Sequence, residues 1–193
     1  IKRSLLSDYV VQRYARPIKT INLKKNDELI MAELVAPSDD VLITTYASYS
    51  VRFSLDEVPI TGVKTGGVKA INLKDEDYVV SVNPISTQNK EDILLITTRG
   101  AIKKMALNEI EAGVRAKRGI LTLRELKTNP HRVFDVLLVE KNDQLIIETE
   151  KGQETILVNA YRPSDRYSNG SFVIDTEKDG DLVRVWKQPK EDN

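Results

Sequence analysis

The residues LLITTRGAIKK, at positions 94–104, contain the pattern from which the fold can be predicted. A run of apolar and β-branched residues ends at the turn Arg99-Gly100 and is followed by a second short run that contains two lysines. Short runs of this kind, separated by a turn, are typical of paired β-strands. The stretch VLITTYASYSVRF at positions 41–53 repeats the pattern. There Val51 and Phe53 flank one polar residue, so both point to the same face of a strand.

The pattern belongs to an internal repeat with a period near fifty residues. One landmark, the start of the second strand, recurs at spacings of 50, 51 and 52 residues, at Ile1, Val51, Ile102 and Glu154. A second landmark is a proline or glycine, at Pro17, Gly67, Gly119 and Gly170. A third is a turn followed by a strand, which begins at Asp27, Asp77, His131 and Asp181. Three landmarks in one order and nearly one spacing indicate four copies of one unit.

Each complete repeat predicts a unit of four strands. In the second repeat we expect the strands at 41–45, 51–53, 68–73 and 78–82, with a short segment at 55–58 and a basic loop between them. Four strands per repeat are typical of propeller blades, because the apolar faces of one small sheet must be covered by its neighbours. The sequence therefore predicts an all-β, propeller-like fold of about four blades. A β-sandwich with similar hairpins is the alternative, but it does not explain the phased landmarks.

The landmarks also predict where each blade begins and ends. We place the blades at about 1–35, 36–85, 86–139 and 140–188, followed by a tail at 189–193. We expect the first blade to be incomplete, without its opening strands, and the chain to be a fragment of a longer protein.

The composition excludes several classes of function. The 193 residues include no cysteine, which rules out thiol nucleophiles, thiolate metal sites and disulfides. His131 is the one histidine, and beside Pro130 it is expected to be a loop residue. Most zinc and triad chemistry needs more imidazoles than this, so we expect no catalytic or metal-binding residue. No stretch approaches the 18 consecutive apolar residues that would span a membrane.

Charge is distributed unevenly, although 29 basic and 29 acidic residues give a net charge of zero. Between Arg99 and Arg132 there are nine basic residues and three acidic ones. Acidic residues concentrate in the fourth repeat, at 140–154 and 175–181. Screening limits charge interactions to about 8–10 Å at physiological salt. A polyanion on the basic region would therefore be little affected by the acidic one.

The basic residues recur in the loop that leads to each landmark proline or glycine. We call the four loops the basic loops: QRYARP at 12–17, GVKTGG at 62–67, GVRAKRG at 113–119 and the weaker DRYSNG at 165–170. One cation at the same position in each blade would place cations along one rim, which suits a polyanion better than a small ligand. Solvated loop charges are the alternative interpretation. The predicted DNA-binding residues are Arg115, Lys117, Arg118, Lys64, Lys69, Lys103, Lys104, Arg13, Arg16 and Lys19.

These motifs resemble a known family. The succession LLITTRGAIKK at 94–104, NEIE at 108–111 and GVRAKRGI at 113–120 looks like a blade of the C-terminal β-pinwheel domain of bacterial type IIA topoisomerase A subunits. The second repeat carries the same succession in VLITTYASYSVRFSLDEVP at 41–59 and GVKTGGVKAINL at 62–73. The resemblance covers essentially the whole chain and implies a propeller-like disc with hairpins exchanged between blades.

Two branches of this family differ in one motif. The gyrase branch carries a QRRGGKG box that is needed for wrapping DNA, and the corresponding loops here are degenerate. The sequence is therefore similar to the ParC-type A subunits of topoisomerase IV, of a Gram-positive kind. The gyrase branch remains the second choice.

The resemblance implies a function as well. We expect a sequence-nonspecific DNA-binding and DNA-bending domain that presents a duplex segment for ATP-dependent strand passage, in decatenation and relaxation. The implied partners are double-stranded DNA, a ParE-type ATPase subunit, and the cleavage domain of the same polypeptide, in the bacterial cytoplasm at the nucleoid. Mg²⁺ and ATP are implied for the whole enzyme, and no cofactor for this fragment. The alternative is a propeller that binds a basic protein through its acidic blade.

Overall fold

The computed structural model describes residues 1–11, 15–37, 39–74 and 76–189. Its strands are β1 (Asp40–Thr45), β2 (Tyr49–Ser54), β3 (Val79–Ile85), β4 (Asp92–Thr97), β5 (Ala101–Met105), β6 (Ala112–Gly113), β7 (Ile120–Leu121), β8 (Val133–Val139), β9 (Gln144–Thr149), β10 (Gly152–Leu157), β11 (Ser171–Phe172) and β12 (Leu182–Lys187). One short helix, α1, spans Thr176–Asp179, and 3₁₀ turns span Leu6–Tyr9, Leu55–Glu57, Leu107–Glu109 and Val158–Ala160.

Each repeat with described strands opens with the predicted hairpin. In β1 and β2 the antiparallel register pairs Val41 with Phe53 and Ile43 with Val51. Ser48 has a φ of 69° at the connecting turn, and its N–H donates to the Thr45 carbonyl at 2.9 Å. The hairpin β4–β5 turns at Gly100 in the same way, with a φ of 78°. The strand predictions for the first two positions of the repeat are confirmed.

The last strand of each repeat pairs with the first strand, on the side opposite the hairpin partner. β3 pairs with β1, β8 with β4 and β12 with β9, all antiparallel. The pairings of β3 and β8 include a register shift near the turn, between Thr44 and Thr45 and between Ile96 and Thr97. The described residues thus form three sheets in chain order, one for each of the last three repeats.

The edges of the β1–β3 sheet and of the sheet of β4, β5 and β8 are completed by the following repeat. β6 pairs in parallel with β2, at Arg52 and Ala112, while β7 pairs antiparallel with β2, at Tyr49 and Leu121. β11 of the fourth repeat pairs with β5 of the third. The isolated parallel bridge between Arg3 and Ile60 joins the first repeat to the second in the same way. The exchange between blades that the resemblance implies is present.

This exchange corrects one detail of the sequence analysis. The residues 68–73 form no strand within their own sheet. Instead Val68 and Ile1 exchange two backbone hydrogen bonds of 2.8 Å each, so the segment contacts the preceding repeat. The physical reason is that the backbone of the preceding repeat offers free N–H and C=O groups, which must be satisfied.

The apolar core consists of clusters that lie between successive sheets. Alternate residues of β4 enter two different clusters, Ile93 and Leu95 facing the sheet of β1–β3, and Leu94 and Ile96 facing the sheet of β9, β10 and β12. The middle sheet is therefore buried on both faces, which explains the unbroken apolar run at 93–96. The all-β, propeller-like class is confirmed. A sandwich of two sheets is wrong because three sheets stack in succession.

Candidate nucleic-acid interface

The second and third basic loops occupy corresponding places on successive repeats. In the second repeat the Thr65 carbonyl accepts from the Asn22 N–H at 3.0 Å, and the Lys64 carbonyl accepts from the Asn22 side-chain amide. In the third repeat the Lys117 carbonyl accepts from the Asn72 N–H at 2.8 Å. Asn22 and Asn72 belong to two copies of the sequence INLK. Each loop is therefore held against the same segment of the repeat before it.

The landmark glycines fix the ends of these loops. Gly67, Gly119 and Gly170 have φ values of 94°, 84° and 74°. A Cβ on any of them would overlap a backbone carbonyl of the preceding repeat, that of Ile1, Ser50 or Ile102 respectively. Glycine is required on both grounds, because other residues are strained in a left-handed backbone and have no room there.

Five of the predicted DNA-binding residues are exposed to solvent, namely Arg16, Lys19, Lys64, Lys69 and Lys117. None of the five forms a side-chain hydrogen bond or ion pair with any residue that the structure describes. Their charges are available to an external anion. Lys64 and Lys117 belong to the loops that occupy corresponding places on the second and third repeats.

Arg115 joins two repeats rather than facing solvent freely. Its Nε donates to the Glu57 carbonyl at 3.1 Å, and its Nη1 donates to the Lys69 carbonyl at 2.9 Å. Its backbone N–H donates to the Glu57 carboxylate at 3.1 Å. Glu57 and Lys69 are in the second repeat and Arg115 is in the third. The side chain therefore contributes to the joint, and any anion contact would use its remaining nitrogen.

Arg118 is held by an aromatic ring. Its guanidinium carbon lies 3.8 Å from the centroid of the Tyr49 ring. Its Nε is buried without a hydrogen-bond partner among the described atoms. In the fourth basic loop Arg166 has a similar arrangement, 4.7 Å from the ring centroid of the adjacent Tyr167 and hydrogen-bonded to its hydroxyl. Arg13, also predicted to bind DNA, lies outside the described residues.

Lys103 and Lys104 are inside the fold, which corrects their assignment to the DNA-binding set. Lys103 is 1% exposed, and its Nζ donates to the carbonyls of Thr122 and Ser168 at 2.7 and 3.0 Å. Burial lowers the pKa of Lys103 to about 8, against the opposing charges of Asp165 and Glu109. Lys104 is 7% exposed, with its Nζ 3.9 Å from Asp92. Neither ammonium group has a free path to a phosphate.

The sequence analysis missed the structural role of Lys2. The Nζ of Lys2 donates to the Thr20 carbonyl of its own repeat at 2.6 Å and to the Val63 carbonyl of the next repeat at 2.7 Å. Lys103 makes the same kind of bridge, between Thr122 and Ser168. Because Lys2 and Lys103 occupy one repeat position, in IKRS and IKKM, the alignment contained the signal. We call this pair the bridging lysines.

Several acidic residues of the fourth repeat are engaged within the fold. Glu148 forms an ion pair with Arg184, and Asp143 lies 3.7 Å from the Lys187 ammonium. Asp175 caps α1 by accepting from the N–H groups at its start. These contacts reduce the charge that this surface could offer to a basic protein.

The described residues contain neither a cluster of metal ligands nor a membrane-spanning helix. Across 1–11, 15–37, 39–74 and 76–189, no group of three or more His, Asp or Glu side chains is placed to hold a metal ion. Likewise, within the same residues no helix has both the length and the apolar surface to cross a bilayer.

Stacked sheets, exchanged edge strands and repeated cationic loops together define a β-propeller domain of the pinwheel kind. The chain belongs to the family described as DNA gyrase C-terminal domain, beta-propeller, which matches residues 1–35, 39–86 and 91–140. This family assignment bears out the resemblance seen in the sequence motifs.

Individual relatives are of the topoisomerase IV branch, as the degenerate loops predict. Over 97% of its own length, this chain is 42% identical to the A subunit of DNA topoisomerase 4 from Bacillus subtilis. Over 94% of its own length, it is 34% identical to the A subunit from Staphylococcus epidermidis. It spans 23% of the length of each of these relatives. A crystal structure of the C-terminal domain of DNA topoisomerase IV matches with a TM-score of 0.91 and 44% identity, over 96% of this chain and 58% of that one.

Proposed function

We propose that this chain is the DNA-binding region of the A subunit of a type II DNA topoisomerase of the topoisomerase IV kind. It binds duplex DNA without reading its sequence and bends it beside the cleavage domain of the same polypeptide. The Mg²⁺-dependent cleavage site and the ATPase subunit then act on the presented segment in decatenation and relaxation. The family and its relatives support this function, since both relatives are named as the A subunit of DNA topoisomerase 4.

One observation carries the proposal at the level of residues. Lys64 and Lys117 belong to loops held at the same place on consecutive repeats, and both are exposed with no ion pair among the described residues. Lysine contacts to phosphate need no base recognition. Because backbone hydrogen bonds fix the loops, their backbones need no further ordering on binding, and only the lysine side chains lose conformational freedom.

The energies involved are compatible with bending. Bending 20–30 base pairs by 40–90° costs on the order of 1–6 kcal/mol. Counterion release from about five phosphate contacts would offset this cost at low salt. The same count predicts that the logarithm of affinity falls with the logarithm of salt concentration with a slope near −4 to −5.

The test compares two triple variants of the full chain in titrations of a random 30-base-pair duplex across a range of salt concentrations. Replacing Lys64, Lys69 and Lys117 by glutamine removes three exposed cations of the proposed interface. The matched control replaces Lys90, Lys141 and Lys178, which are also exposed but lie elsewhere. We expect the first variant to flatten the slope by roughly 2–3 and the control to leave it near the wild-type value.

Two results would contradict the proposal. Equal slopes for the two variants would mean that the basic loops do not contact the phosphates. The absence of any duplex binding by the wild-type chain at low salt would instead favour a protein-binding propeller. Circular dichroism melts of all three proteins establish that the variants are folded, which we expect because none of the six lysine side chains forms a hydrogen bond or ion pair with a described residue.

A further inference from the structure

The contact between Arg118 and Tyr49 differs from the ion pairs of other arginines, and at 3.8 Å it is shorter than the arginine–aromatic contacts of Arg99, Arg166 and Arg184. Arg52, Arg132 and Arg184 each form an ion pair with a carboxylate, at Asp40, Glu125 and Glu148. These carboxylates neutralise the guanidinium they hold. Arg118 forms no ion pair with any described residue, and the face of an aromatic ring holds it instead.

An aromatic ring orients a guanidinium without cancelling its charge. The attraction comes from the ring quadrupole and is strongest when the cation lies close to the ring face. At 3.8 Å from the centroid the Arg118 carbon is in direct contact with the Tyr49 ring. The Nε of Arg118 is buried, but its two Nη groups form no hydrogen bond with a described residue and stay available for an anion. Paired guanidinium N–H groups fit phosphate oxygens.

The ring and the guanidinium come from different repeats. Tyr49 is the first residue of β2, and it pairs across the exchanged edge with Leu121 of β7. Arg118 precedes Gly119, whose α-carbon is pressed against the Ser50 carbonyl next to Tyr49. Backbone contacts on both sides therefore set the distance between the ring and the charge. The neighbouring Lys117 is exposed in the same loop and adds a second cation.

We propose that Tyr49 is a positioning residue for phosphate binding by Arg118, so that one repeat supplies the platform and the next supplies the charge. This inference rests on the proposed function, because the phosphate is that of duplex DNA. Tyr49 touches no phosphate itself. It acts by keeping the Arg118 side chain in one orientation and so reduces the side-chain entropy that binding must remove.

The experiment measures duplex affinity of the full chain at one fixed salt concentration with the same random 30-base-pair probe. Tyr49→Leu removes the ring, and Tyr49→Met is a second variant without a ring in case the first does not fold. Tyr49→Phe keeps the ring and loses the hydroxyl. Tyr46→Leu is the matched control, since the Tyr46 ring stacks on Tyr78 at 4.9 Å and holds no arginine.

We expect Tyr49→Leu and Tyr49→Met to weaken binding about fivefold, in line with the strength of a partly buried cation–π contact. Tyr49→Phe should restore most of the affinity, and Tyr46→Leu should leave it unchanged. In a double-mutant cycle, adding Tyr49→Leu to Arg118→Gln should cause no further loss, because the ring acts through the guanidinium.

The outcomes separate this inference from the function it rests on. If the wild-type chain does not bind the duplex, the proposed function fails. If the wild type binds and Arg118→Gln weakens binding while both ring-free variants bind like wild type, only the role of Tyr49 is overturned. Additive losses in the cycle, or a loss in Tyr49→Phe equal to that in Tyr49→Leu, would also overturn it.

Discussion

The α-carbon of Gly119 lies against the backbone carbonyl of Ser50, in the repeat before its own. This contact anchors the third basic loop to the edge of β2, close to the first residue of that strand. Gly67 and Gly170 make the corresponding contact with Ile1 and Ile102. A side chain at any of these positions would push the loop away from the sheet that it completes.

Gly119→Ala is therefore expected to destabilise the protein by at least about 2 kcal/mol, since strain at a φ of 84° adds to the overlap with Ser50. Gly113→Ala is the matched control in the same loop, because nothing lies within 4 Å of its added Cβ. We expect the control to change stability by less than about 1 kcal/mol. Urea denaturation measures both, and equal losses would contradict the role of the glycine contact.

Arg115→Met should lower the free energy of unfolding by about 1–3 kcal/mol, because the Glu57 and Lys69 carbonyls lose their guanidinium partner. Lys117→Met, two residues away, removes an exposed side chain and should change stability by less than about 0.5 kcal/mol. Thermal and urea unfolding of the two variants at pH 7 make the comparison. A smaller loss at Arg115 than at Lys117 would show that the joint contributes nothing.

The buried ammonium group of the bridging lysine Lys103 should make the free energy of unfolding depend on pH in an unusual way. Its pKa is about 8 in the folded protein and near its usual 10.5 when unfolded, so the unfolded chain binds more protons between these values. Stability from this group therefore rises as the pH increases from 8 to 10.5, by roughly 3 kcal/mol in total. Below pH 8 the lysine is charged in both states and adds no pH dependence.

Lys103→Met removes this titration, so the wild type should gain stability relative to the variant as the pH rises from 8 to 10.5. The difference between the two proteins isolates Lys103 from the other groups that titrate in this range. Urea unfolding at pH 7.5, 9 and 10.5 provides the measurement. Parallel profiles would mean that the ammonium group of Lys103 is not buried.

His131 predicts a second pH effect at lower pH. Burial, together with the charge of Arg99, lowers its pKa below the usual 6.5. The unfolded chain then binds more protons in this window, so stability is lost as the pH falls below 6.5. His131→Gln should show a flatter decline than the wild type between pH 7 and 4.5. An equally steep decline would place the effect on other groups.

The repeat and its first two strands were predictable because side chains determine them. The apolar runs at 41–45 and 93–98 need burial on both faces, and only neighbouring sheets can provide it. The exchanged strands were not predictable from residue patterns. β6, β7 and β11 have two residues each, too short for alternation to show, and their pairing depends on the free backbone edge of another repeat.

The loop residues of the candidate site could be predicted from the sequence, but the roles of its strand residues could not. The glycines and the recurring cations of 62–67 and 113–119 are visible in the sequence. The burial of Lys103 and Lys104 is not, because a lysine count does not reveal which side chains the next repeat will cover. The Tyr49 ring was also missed, since it lies 69 residues before Arg118 and meets it only through the exchange of strands.

The exchanged edges affect how such an array can grow or be cut. A tandem duplication that adds a copy at the end also supplies the strands its predecessor needs, so lengthening requires no redesign of the older copies. A protease cut at a repeat boundary does the reverse and takes the edge from the sheet on the other side. Fragments that stop near residue 86 should therefore have a lower free energy of unfolding than those that continue past Leu121.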